Sequence, residues 1–416
     1  MIARNHEICG LPLRSIDHGI GRLRGNAVNV ARGLFHSLGR RRPIIDGELQ
    51  TPHLSSPVTV RRDDYGIPHI NAANDRDAWY ALGFCQGQDR AYQLESLIRS
   101  VRGTVAEVVG VPGLAIDRLS RRVGIYQSAV KQFAVLDGDI RQMLDAFAQG
   151  VKDGRDIGSR RRPHEFTLLH VRPTAWTAAD TLGYLKFISL VISTNWAEEL
   201  ARYKILLEDG VAALEALEPE SAAWLPVTDP PNAKAGRATS SLLREAWQLV
   251  DLLGLNDGGS NAWAISGERT ATGRPILAND QHLAPSLPTH YYLAHVTTPD
   301  WGIAGGSFVG SPGFFVGHNG HAAWGVTVGN LDNTDLFIEE IGSDGRSVRE
   351  GGRFVPCTIR QEKYRVRGAD DLAEEVLETD RGPIVGPALD GRPGAISMSA
   401  TWLRPAPVRS VFTAPS

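Results

Sequence analysis

The spacing of apolar residues predicts a chain with a helical first half and a strand-rich second half. Apolar positions recur with a helical period over residues 75–102, where Asn74 is a predicted N-cap and Gly103 a predicted stop. The same period predicts further helices over residues 137–152, 178–193, 196–217 and 239–254. Before them, VTVRRDDYGIPHI (residues 58–70) alternates and then turns, which predicts a strand, a tight turn and a short second strand.

After residue 258 the pattern changes to short apolar segments separated by Gly, Pro, Asn and Asp. These segments are NAWAISG, PILAND, HYYLAHVTT, GFFVGHN, AAWGVTVGN and DLFIEEI. Aromatic and β-branched residues in short runs of this kind are typical of a sheet built from many short strands. Residues 229–241, DPPNAKAGRATSS, are small and polar, which predicts an exposed linker. The residues therefore predict an α+β fold.

Composition excludes several classes of protein. The chain has 416 residues, enough for two or more domains, and 42% hydrophobic with 22% charged residues is ordinary for globular proteins. The net charge of −3 gives the whole chain no electrostatic reason to bind nucleic acid or an acidic membrane, so neither is an expected partner. Cys9, Cys85 and Cys357 provide no disulfide framework. No run reaches the roughly 18–20 apolar residues of a membrane span, and FISLVIS at residues 187–193 is interpreted as a core helix.

The start of the chain is rich in arginine. Residues 4–42 contain eight arginines but only two acidic residues, Glu7 and Asp17. The segment lacks the apolar core of a secretory signal. Residues 1–43 are therefore interpreted as a disordered leader, with a targeting segment or a misassigned start codon as the alternatives, and no compartment is predicted from them.

The stretch DGGSNAWAIS, residues 257–266, places two glycines directly before a serine that opens a predicted strand. A serine hydroxyl is a poor nucleophile unless a base removes its proton. If the bond before Ser260 is broken, the serine's own α-amino group, with an ordinary pKa of about 7.7–8.0, can be that base. Gly258 and Gly259 suit such a break because glycine tolerates positive φ and leaves the carbonyl open. Two interpretations follow: a flexible turn, or an N-terminal-nucleophile hydrolase that cuts itself.

The order of several blocks resembles the penicillin acylase family, whose members are amidases made as one precursor and cut autocatalytically into α- and β-chains. The blocks that resemble the α-chain are VTVRRDDYGIPHINAAN, ALGFCQGQDRAYQLESLIRSVRGTVAEVVG, PHEFTLLHVRPTAWTAAD and ISTNWAEELAR. Those that resemble the β-chain are SNAWAI, ILANDQHLAPSLPTHYY and GFFVGHNGHAAWGVTVGNLDNTDLFIEE. The resemblance covers roughly residues 44–390. It implies an N-terminal-nucleophile αββα sandwich with a mostly helical α-chain part.

The resemblance implies catalytic roles for single residues. Ser260 matches the nucleophile, so that Gly259–Ser260 is the cleavage site. His282 stands where penicillin G acylases have Gln and several cephalosporin, aculeacin-type and acyl-homoserine-lactone acylases have His, which implies an active-site neighbour; otherwise it is a surface residue. Val328 in GVTVG matches the residue whose backbone N–H forms half of the oxyanion hole, and its alternative is an ordinary core valine.

The resemblance also implies a structural calcium ion and no organic cofactor. Glu199, Asp332, the Thr334 carbonyl and Asp335 match the family's calcium ligands, which tie the α- and β-chains together. Hard cations prefer such oxygen ligands, and a polar turn is the alternative. Residues that match the family's substrate pocket are Asn195, Trp196, Leu283 and Phe315, for which a core role is the alternative.

These implications give a domain organisation and a function. The expected regions are a leader (1–43), a helical α-chain-like region (44–228), a linker ending at the cleavage site (229–259) and an incomplete β-chain (260–416). The expected activity is hydrolysis of a linear amide with an apolar acyl part, and His282 favours aliphatic over phenylacetyl groups. The amine could come from a β-lactam nucleus, a homoserine lactone or a lipopeptide core. Family members are commonly periplasmic or secreted.

Two departures from the family pattern bear on activity. Only 157 residues follow Gly259, so the β-chain is interpreted as truncated, and the later Asn that supplies the second oxyanion donor has no counterpart. Arg381, in TDRGPIVG, stands where His is expected. An inactive, truncated family member or a fragment is therefore the alternative function. A carbohydrate- or peptide-binding β domain is a third interpretation, which leaves the ordered blocks unexplained.

Overall fold

The structure, a computed structural model, describes residues 33, 41–192, 195–217, 259–283, 285–329, 331–387 and 394–407. In this part of the chain the α-helices are α1 (Asp75–Asp89), α2 (Ala91–Arg102), α3 (Ala106–Val109), α4 (Leu114–Val123), α5 (Ile125–Val135), α6 (Gly138–Ile157), α7 (His164–Leu168), α8 (Ala178–Ile192), α9 (Asn195–Asp209) and α10 (Val211–Leu217). The predicted leader, helix 239–254 and linker lie almost entirely outside the described residues.

Local sequence explains where the first helices begin and end. The side chain of Asn74 accepts a hydrogen bond from the Asp77 N–H at 2.9 Å, which confirms the predicted N-cap of α1. Gly103 ends α2 with a φ of 63°, as predicted. The single helix predicted over 75–102 was wrong in one respect, because the backbone of Arg90 leaves the helical region (φ −126°) and separates α1 from α2.

The helices predicted over 137–152 and 178–193 correspond to α6 and α8, and the helix predicted over 196–217 contains a break. Residues 187–192 of the FISLVIS segment lie in α8, where Phe187, Leu190 and Val191 are buried. The helix predicted over 196–217 is two helices, α9 and α10, because Gly210 between them has a φ of +82°. Glycine reaches such angles without steric cost, whereas they end a right-handed helix.

The strands in the described residues are β1 (Thr59–Arg62), β2 (Pro68–Asn71), β3 (Ser260–Ile265), β4 (Ile276–Gln281), β5 (Tyr291–Thr297), β6 (Gly302–Phe308), β7 (Phe314–His318), β8 (Ala323–Trp324), β9 (Thr334–Glu340), β10 (Ser347–Glu350), β11 (Arg353–Pro356), β12 (Thr358–Tyr364), β13 (Leu372–Glu378), β14 (Ile384–Pro387) and β15 (Gly394–Ala400). The combination of helices and strands confirms the predicted α+β class. The predicted strand-turn-strand at 58–70 is β1 and β2, with the turn at Gly66 (φ +78°).

The largest sheet joins the two halves of the chain. Its order is β1-β2-β5-β6-β7-β8, and the contact between β2 and β5 is parallel, with His69 opposite His295. The other sheets are β14-β15-β9 and the two-stranded pairs β3-β4, β10-β11 and β12-β13. The long sheet therefore contains strands from both sides of the Gly-Gly-Ser step.

Helices cover one face of the six-stranded sheet and one face of the β14-β15-β9 sheet. The first core contains Ile70 of β2 and Val296 of β5 with Leu82 of α1 and Phe147 of α6. A second core packs α4, α5, α8 and α9 against Met398 of β15. No helix of the described residues is both long enough and apolar enough to cross a membrane.

Helices α1 and α6 approach so closely that their backbones touch. A Cβ atom added at Gly83 or Gly87 of α1 would lie 2.1 Å from a carbonyl oxygen of α6. A Cβ at Gly150 or Gly154 of α6 would lie 2.0 Å from a carbonyl oxygen of α1. The four-residue spacing of glycine on both helices places these positions on the facing sides. This interface fixes α1 over the sheet.

Candidate functional site

The structure places Ser260 at the first residue of β3, beside the peptide group that precedes it. The Ser260 hydroxyl donates to the Gly259 carbonyl oxygen at 2.7 Å. Ser260 is paired with Gln281 of β4 in an antiparallel hairpin. The turn of this hairpin includes Gly273, whose φ of +69° suits glycine. The hairpin thus holds the serine at a strand end with its hydroxyl next to the predicted cleavage bond.

His282, the residue after β4, lies on the other side of this peptide group. Its backbone N–H donates to the Gly259 carbonyl oxygen at 2.8 Å. Its ring Nε2 lies 3.0 Å from the Asp280 carboxylate and 3.3 Å from the Asn261 amide nitrogen. The carboxylate contact suits the tautomer with the proton on Nε2 and the lone pair on Nδ1. Nδ1 is 3.6 Å from the position that a Cβ on Gly259 would occupy. The structure therefore brings Gly259, Ser260 and His282 together.

Glycine is not required at position 259 by its backbone angles. Its φ lies outside the positive region, where several other glycines of the described chain are found. A Cβ there would meet only the His282 ring, at an ordinary contact distance. The tolerance of glycine for positive φ is therefore not used at Gly259.

Asn279 and Gln281, which the sequence reasoning did not single out, fasten the neighbouring loop to the hairpin. The Asn279 amide donates to the carbonyl of Asn261 at 2.9 Å and to that of Val326 at 3.0 Å. It also accepts from the Val326 N–H at 2.9 Å, and Gln281 donates to the Val326 carbonyl at 3.0 Å. Both residues lie within the ILANDQH block, so their position beside His282 was the available signal.

Val328 lies two residues after Val326, the residue that Asn279 and Gln281 hold. Its side chain is 47% exposed, so it is not a core valine. The Asn279 contacts at Val326 fix the course of the loop just before it. Among the described residues no hydrogen bond joins Val328 to Ser260.

A cavity of about 290 Å³ lies directly beyond β4. Its lining includes Gln281, Leu283, Pro285, Thr289, His290 and Tyr291. The Tyr291 ring stacks on Phe308 at 4.7 Å, and Phe308 meets Phe315 edge-on at 4.7 Å between ring centroids. Burial lowers the pKa of His290, which keeps its ring neutral. Of the predicted pocket residues, Leu283 thus lines the cavity directly, and Phe315 is joined to it through aromatic packing.

An acidic cluster lies between α9 and the segment that leads into β9. One carboxylate oxygen from each of Glu199, Asp332 and Asp335 lies within 4.8 Å of the others. Glu199 accepts a hydrogen bond from the Leu336 N–H at 2.9 Å. The Thr334 carbonyl accepts from the Asn195 amide at 2.5 Å, and the same amide donates to Asp332 at 2.9 Å. All four predicted metal ligands therefore meet, and Asn195 connects two of them.

The electrostatics of this cluster favour a bound cation. Burial, reinforced by the nearby charges of Asp332 and Asp335, raises the pKa of Glu199 to about 7. The donors are carboxylate and carbonyl oxygens, which suit a hard cation such as Ca²⁺ better than a transition metal. The residues present therefore fit the calcium ion that the sequence resemblance implied.

Comparison with known proteins assigns the chain to a family. The sequence profile described as penicillin amidase matches residues 57–414, which is most of the chain. The chain belongs to the penicillin amidase family.

Its relatives within the penicillin amidase family include acylases of two named kinds. The chain is 34% identical over 359 residues to the penicillin acylase 2 proenzyme of Pseudomonas sp. (strain SE83), covering 84% of this chain and 46% of that protein. It is 29% identical over 368 residues to the acyl-homoserine lactone acylase QuiP of Pseudomonas aeruginosa, covering 86% and 43%. The chain thus spans about half the length of the curated relatives it matches.

Two solved structures of the thermostable penicillin G acylase from Alcaligenes faecalis are also similar to parts of the chain. The orthorhombic form matches with 22% identity and a TM-score of 0.30, covering 35% of this chain and 26% of that one. The tetragonal form matches with 24% identity and a TM-score of 0.33, covering 42% and 98%. Scores of this size do not establish a shared overall fold.

Two positions that the penicillin amidase family resemblance singled out are held by contacts within the fold. Trp196, a predicted pocket residue, is 3% exposed in the second core, and its indole N–H donates to the Leu190 carbonyl at 3.0 Å. Arg381, which stands where His was expected, donates to both carboxylate oxygens of buried Glu339 at 2.9 and 2.8 Å. Ser397 donates to the same carboxylate at 2.7 Å. The arginine at position 381 therefore forms an ion pair with Glu339 inside the fold.

Proposed function

We propose that this penicillin amidase family member is an acylase precursor that hydrolyses linear amides through Ser260, after cutting its own Gly259–Ser260 bond. The observation that carries the proposal is the arrangement around the Gly259 carbonyl. The Ser260 hydroxyl lies within 2.7 Å of its oxygen, and the His282 N–H donates to the same oxygen. Family membership supports amide chemistry at this serine.

The proposed self-cleavage begins with attack of the Ser260 Oγ on the Gly259 carbonyl carbon. The hydroxyl proton passes to a base, a role that we assign to the Nδ1 of His282, which lies 3.6 Å from the position of a Cβ on Gly259. The negative charge that develops on the Gly259 oxygen is stabilised by the His282 N–H, which already points at it. Collapse of the tetrahedral intermediate breaks the C–N bond while the base passes the proton it took from Oγ to the Ser260 nitrogen, which gives an ester on Oγ and frees the amine of Ser260. Water then hydrolyses the ester.

In the mature enzyme the free amine of Ser260 would act as the base for its own hydroxyl. With an ordinary pKa of about 7.7–8.0, a useful fraction of this amine is neutral near pH 7. Oγ attacks the substrate amide carbon, the amine product leaves with a proton, and water hydrolyses the acyl-enzyme. The N–H of Val328 is the proposed oxyanion donor, and loss of one such donor costs about 10²- to 10³-fold in rate.

The substrate pocket is proposed to include the cavity beside β4. Leu283 and Tyr291 line it, and Tyr291 stacks on Phe308, which in turn packs against Phe315, so that an aromatic cluster borders one side of the cavity and suits an apolar acyl group. Asn195 and Trp196 remain proposed pocket residues by resemblance, while the contacts of Asn195 with Asp332 and Thr334 give it a second candidate role beside the cation. The amine product is a β-lactam nucleus, a homoserine lactone or a lipopeptide core.

A structural calcium ion is proposed at Glu199, Asp332, the Thr334 carbonyl and Asp335. When bound, the cation would neutralise the three carboxylates and connect α9 to β9. Helix α9 precedes the proposed cleavage site in the sequence, and β9 follows it. We assign the cation no part in bond breaking. An αββα sandwich is the proposed overall architecture, and the α- and β-chains of one precursor are the proposed partners.

The test is the intact mass of the purified chain under denaturing conditions, compared with Ser260→Ala. The expected result is two fragments, one beginning at Ser260, in the wild type and a single uncut chain in the variant. Turnover of an amide panel that includes penicillins and acyl-homoserine lactones would then follow. An uncut wild-type chain would refute the self-cleavage, and a cut chain with no amide turnover would favour an inactive family member.

A further inference from the structure

Two histidines from different halves of the chain face each other across the parallel contact in the long sheet. His69 of β2 lies opposite His295 of β5, and their Nδ1 atoms are 3.2 Å apart. The two rings are nearly perpendicular, at 83°. Their neighbours Ile70 and Val296 are buried under the helices. Because successive strand residues point to opposite faces, the histidines lie on the face of the sheet away from the helices.

The separation of the two nitrogens suits joint coordination of one metal ion. A tetrahedral ion with both metal–nitrogen bonds at about 2.05 Å holds its ligand nitrogens about 3.3 Å apart. We propose that His69 and His295 bind one transition-metal ion of the Zn²⁺ or Cu²⁺ class through their Nδ1 atoms, with water in the remaining positions. Imidazole pairs favour such ions over Ca²⁺ or Mg²⁺.

Asp63 is the positioning residue for this site. Its Oδ2 lies 3.4 Å from the Nε2 of His69, the nitrogen that points away from His295. Its Oδ1 accepts the backbone N–H groups of Tyr65 at 3.0 Å and Ile67 at 2.9 Å. A carboxylate on the far nitrogen of a histidine fixes the tautomer in which the near nitrogen is free to bind metal.

The second ligand, His295, is partly buried in β5. His318 of β7 belongs to the same row, with Ala304 of β6 between it and His295. The small side chain of Ala304 therefore separates the pair from the next histidine of the row.

The site differs in kind from the acidic cluster at Glu199, which offers oxygen ligands alone. Metal binding by this pair depends neither on cleavage at Ser260 nor on amide turnover. The competing explanation is a simple hydrogen bond between the rings, in which the Nδ1–H of one donates to the Nδ1 of the other.

The experiment is a calorimetric titration of the full-length, tag-free chain with Zn²⁺ in excess Ca²⁺, which occupies the acidic cluster. The variants are His69→Gln, His295→Gln and Asp63→Asn, with His164→Gln as the matched control because His164 is also beside a carboxylate, that of Glu165, and lies outside the pair. We expect one equivalent of Zn²⁺ for the wild type and the control. Each ligand variant should lose about tenfold or more in affinity, and Asp63→Asn about tenfold.

A spectroscopic measurement keeps the proposal testable if a variant fails to fold. The electron paramagnetic resonance spectrum of one equivalent of Cu²⁺ on the wild-type chain should show coupling to two imidazole nitrogens. Unchanged Zn²⁺ affinity in folded His69→Gln and His295→Gln variants would overturn the proposal. A Cu²⁺ spectrum without nitrogen coupling would do the same and leave the hydrogen-bonded pair as the explanation.

Discussion

The contact between α1 and α6 predicts that Gly154→Ala destabilises the chain. The new Cβ would lie 2.0 Å from the Phe84 carbonyl oxygen, 2.8 Å from its carbonyl carbon and 2.9 Å from the Gln88 nitrogen. All three are backbone atoms of α1, so no side-chain rotation relieves the overlap. Restoring an ordinary 3.4 Å contact to the oxygen requires the helices to separate by 1.4 Å, from 3.4 minus 2.0.

The expected magnitude follows from two opposing effects. Overpacking of this kind costs about 3 kcal/mol at the upper end of its usual range. The better helix propensity of alanine offsets about 1 kcal/mol of that, which leaves a net loss of about 2 kcal/mol. Gly138→Ala is the matched control, since Gly138 starts the same helix and a Cβ there meets nothing within 4 Å. It should be neutral or stabilising by up to about 1 kcal/mol.

Urea unfolding followed by tryptophan fluorescence measures both variants against the wild type. We expect a lower urea midpoint for Gly154→Ala and an unchanged or higher urea midpoint for Gly138→Ala. If the two alanine variants unfold at the same urea concentration, the backbone contact between α1 and α6 is wrong.

Three further predictions concern the candidate sites and the departure at position 381. Gly259→Ala should still yield both fragments in a denaturing mass spectrum, because its Cβ meets only the His282 ring at 3.6 Å; an uncut chain would show that glycine itself is needed. Ca²⁺ affinity, measured by calorimetry, should fall by about tenfold per pH unit below about pH 7, since Glu199 with its pKa raised to about 7 must release a proton. Glu199→Gln should abolish this dependence, and equal wild-type affinity on both sides of pH 7 would contradict it. Arg381→Ala should cost about 2–4 kcal/mol in urea unfolding by leaving the Glu339 carboxylate buried without its cation. The control Arg349→Ala, whose partner Glu340 is about half exposed, should cost less than about 1 kcal/mol.

Elements defined by local residues were predictable from the sequence. The Asn74 cap, the Gly103 stop and strands β3, β4, β5, β7 and β9 follow from side-chain pattern and from glycine conformation. Strand β6, GIAGGSF, was missed because its three glycines dilute the aromatic and β-branched pattern. The AAWGVTVGN segment was predicted as a strand, yet of its described residues (322–329) only Ala323 and Trp324 pair, because Asn279 takes the backbone groups of Val326.

For the candidate site, the identities of the key residues were predictable from the sequence, but their contacts with distant segments were not. Ser260, His282 and the four cation ligands were named from a family resemblance, and the structure brings each set together. The Asn279 contacts and the His69–His295 pair join residues 47 and 226 positions apart. Such contacts depend on strand register between distant segments, which no local pattern encodes.

The sheet that joins β2 to β5 has a consequence for the lifetime of the folded protein. These strands lie on opposite sides of the Gly259–Ser260 bond, and Arg121 with Glu362 also connects the two sides. While that bond is intact, the two parts are tethered, and refolding is a unimolecular reaction with a fixed local concentration of each part. Once the bond is cut, the same contacts hold the fold, but recovery after unfolding becomes a second-order encounter between two polypeptides. Cutting therefore makes unfolding effectively irreversible at high dilution, and the persistence of the mature molecule is then set by its unfolding rate.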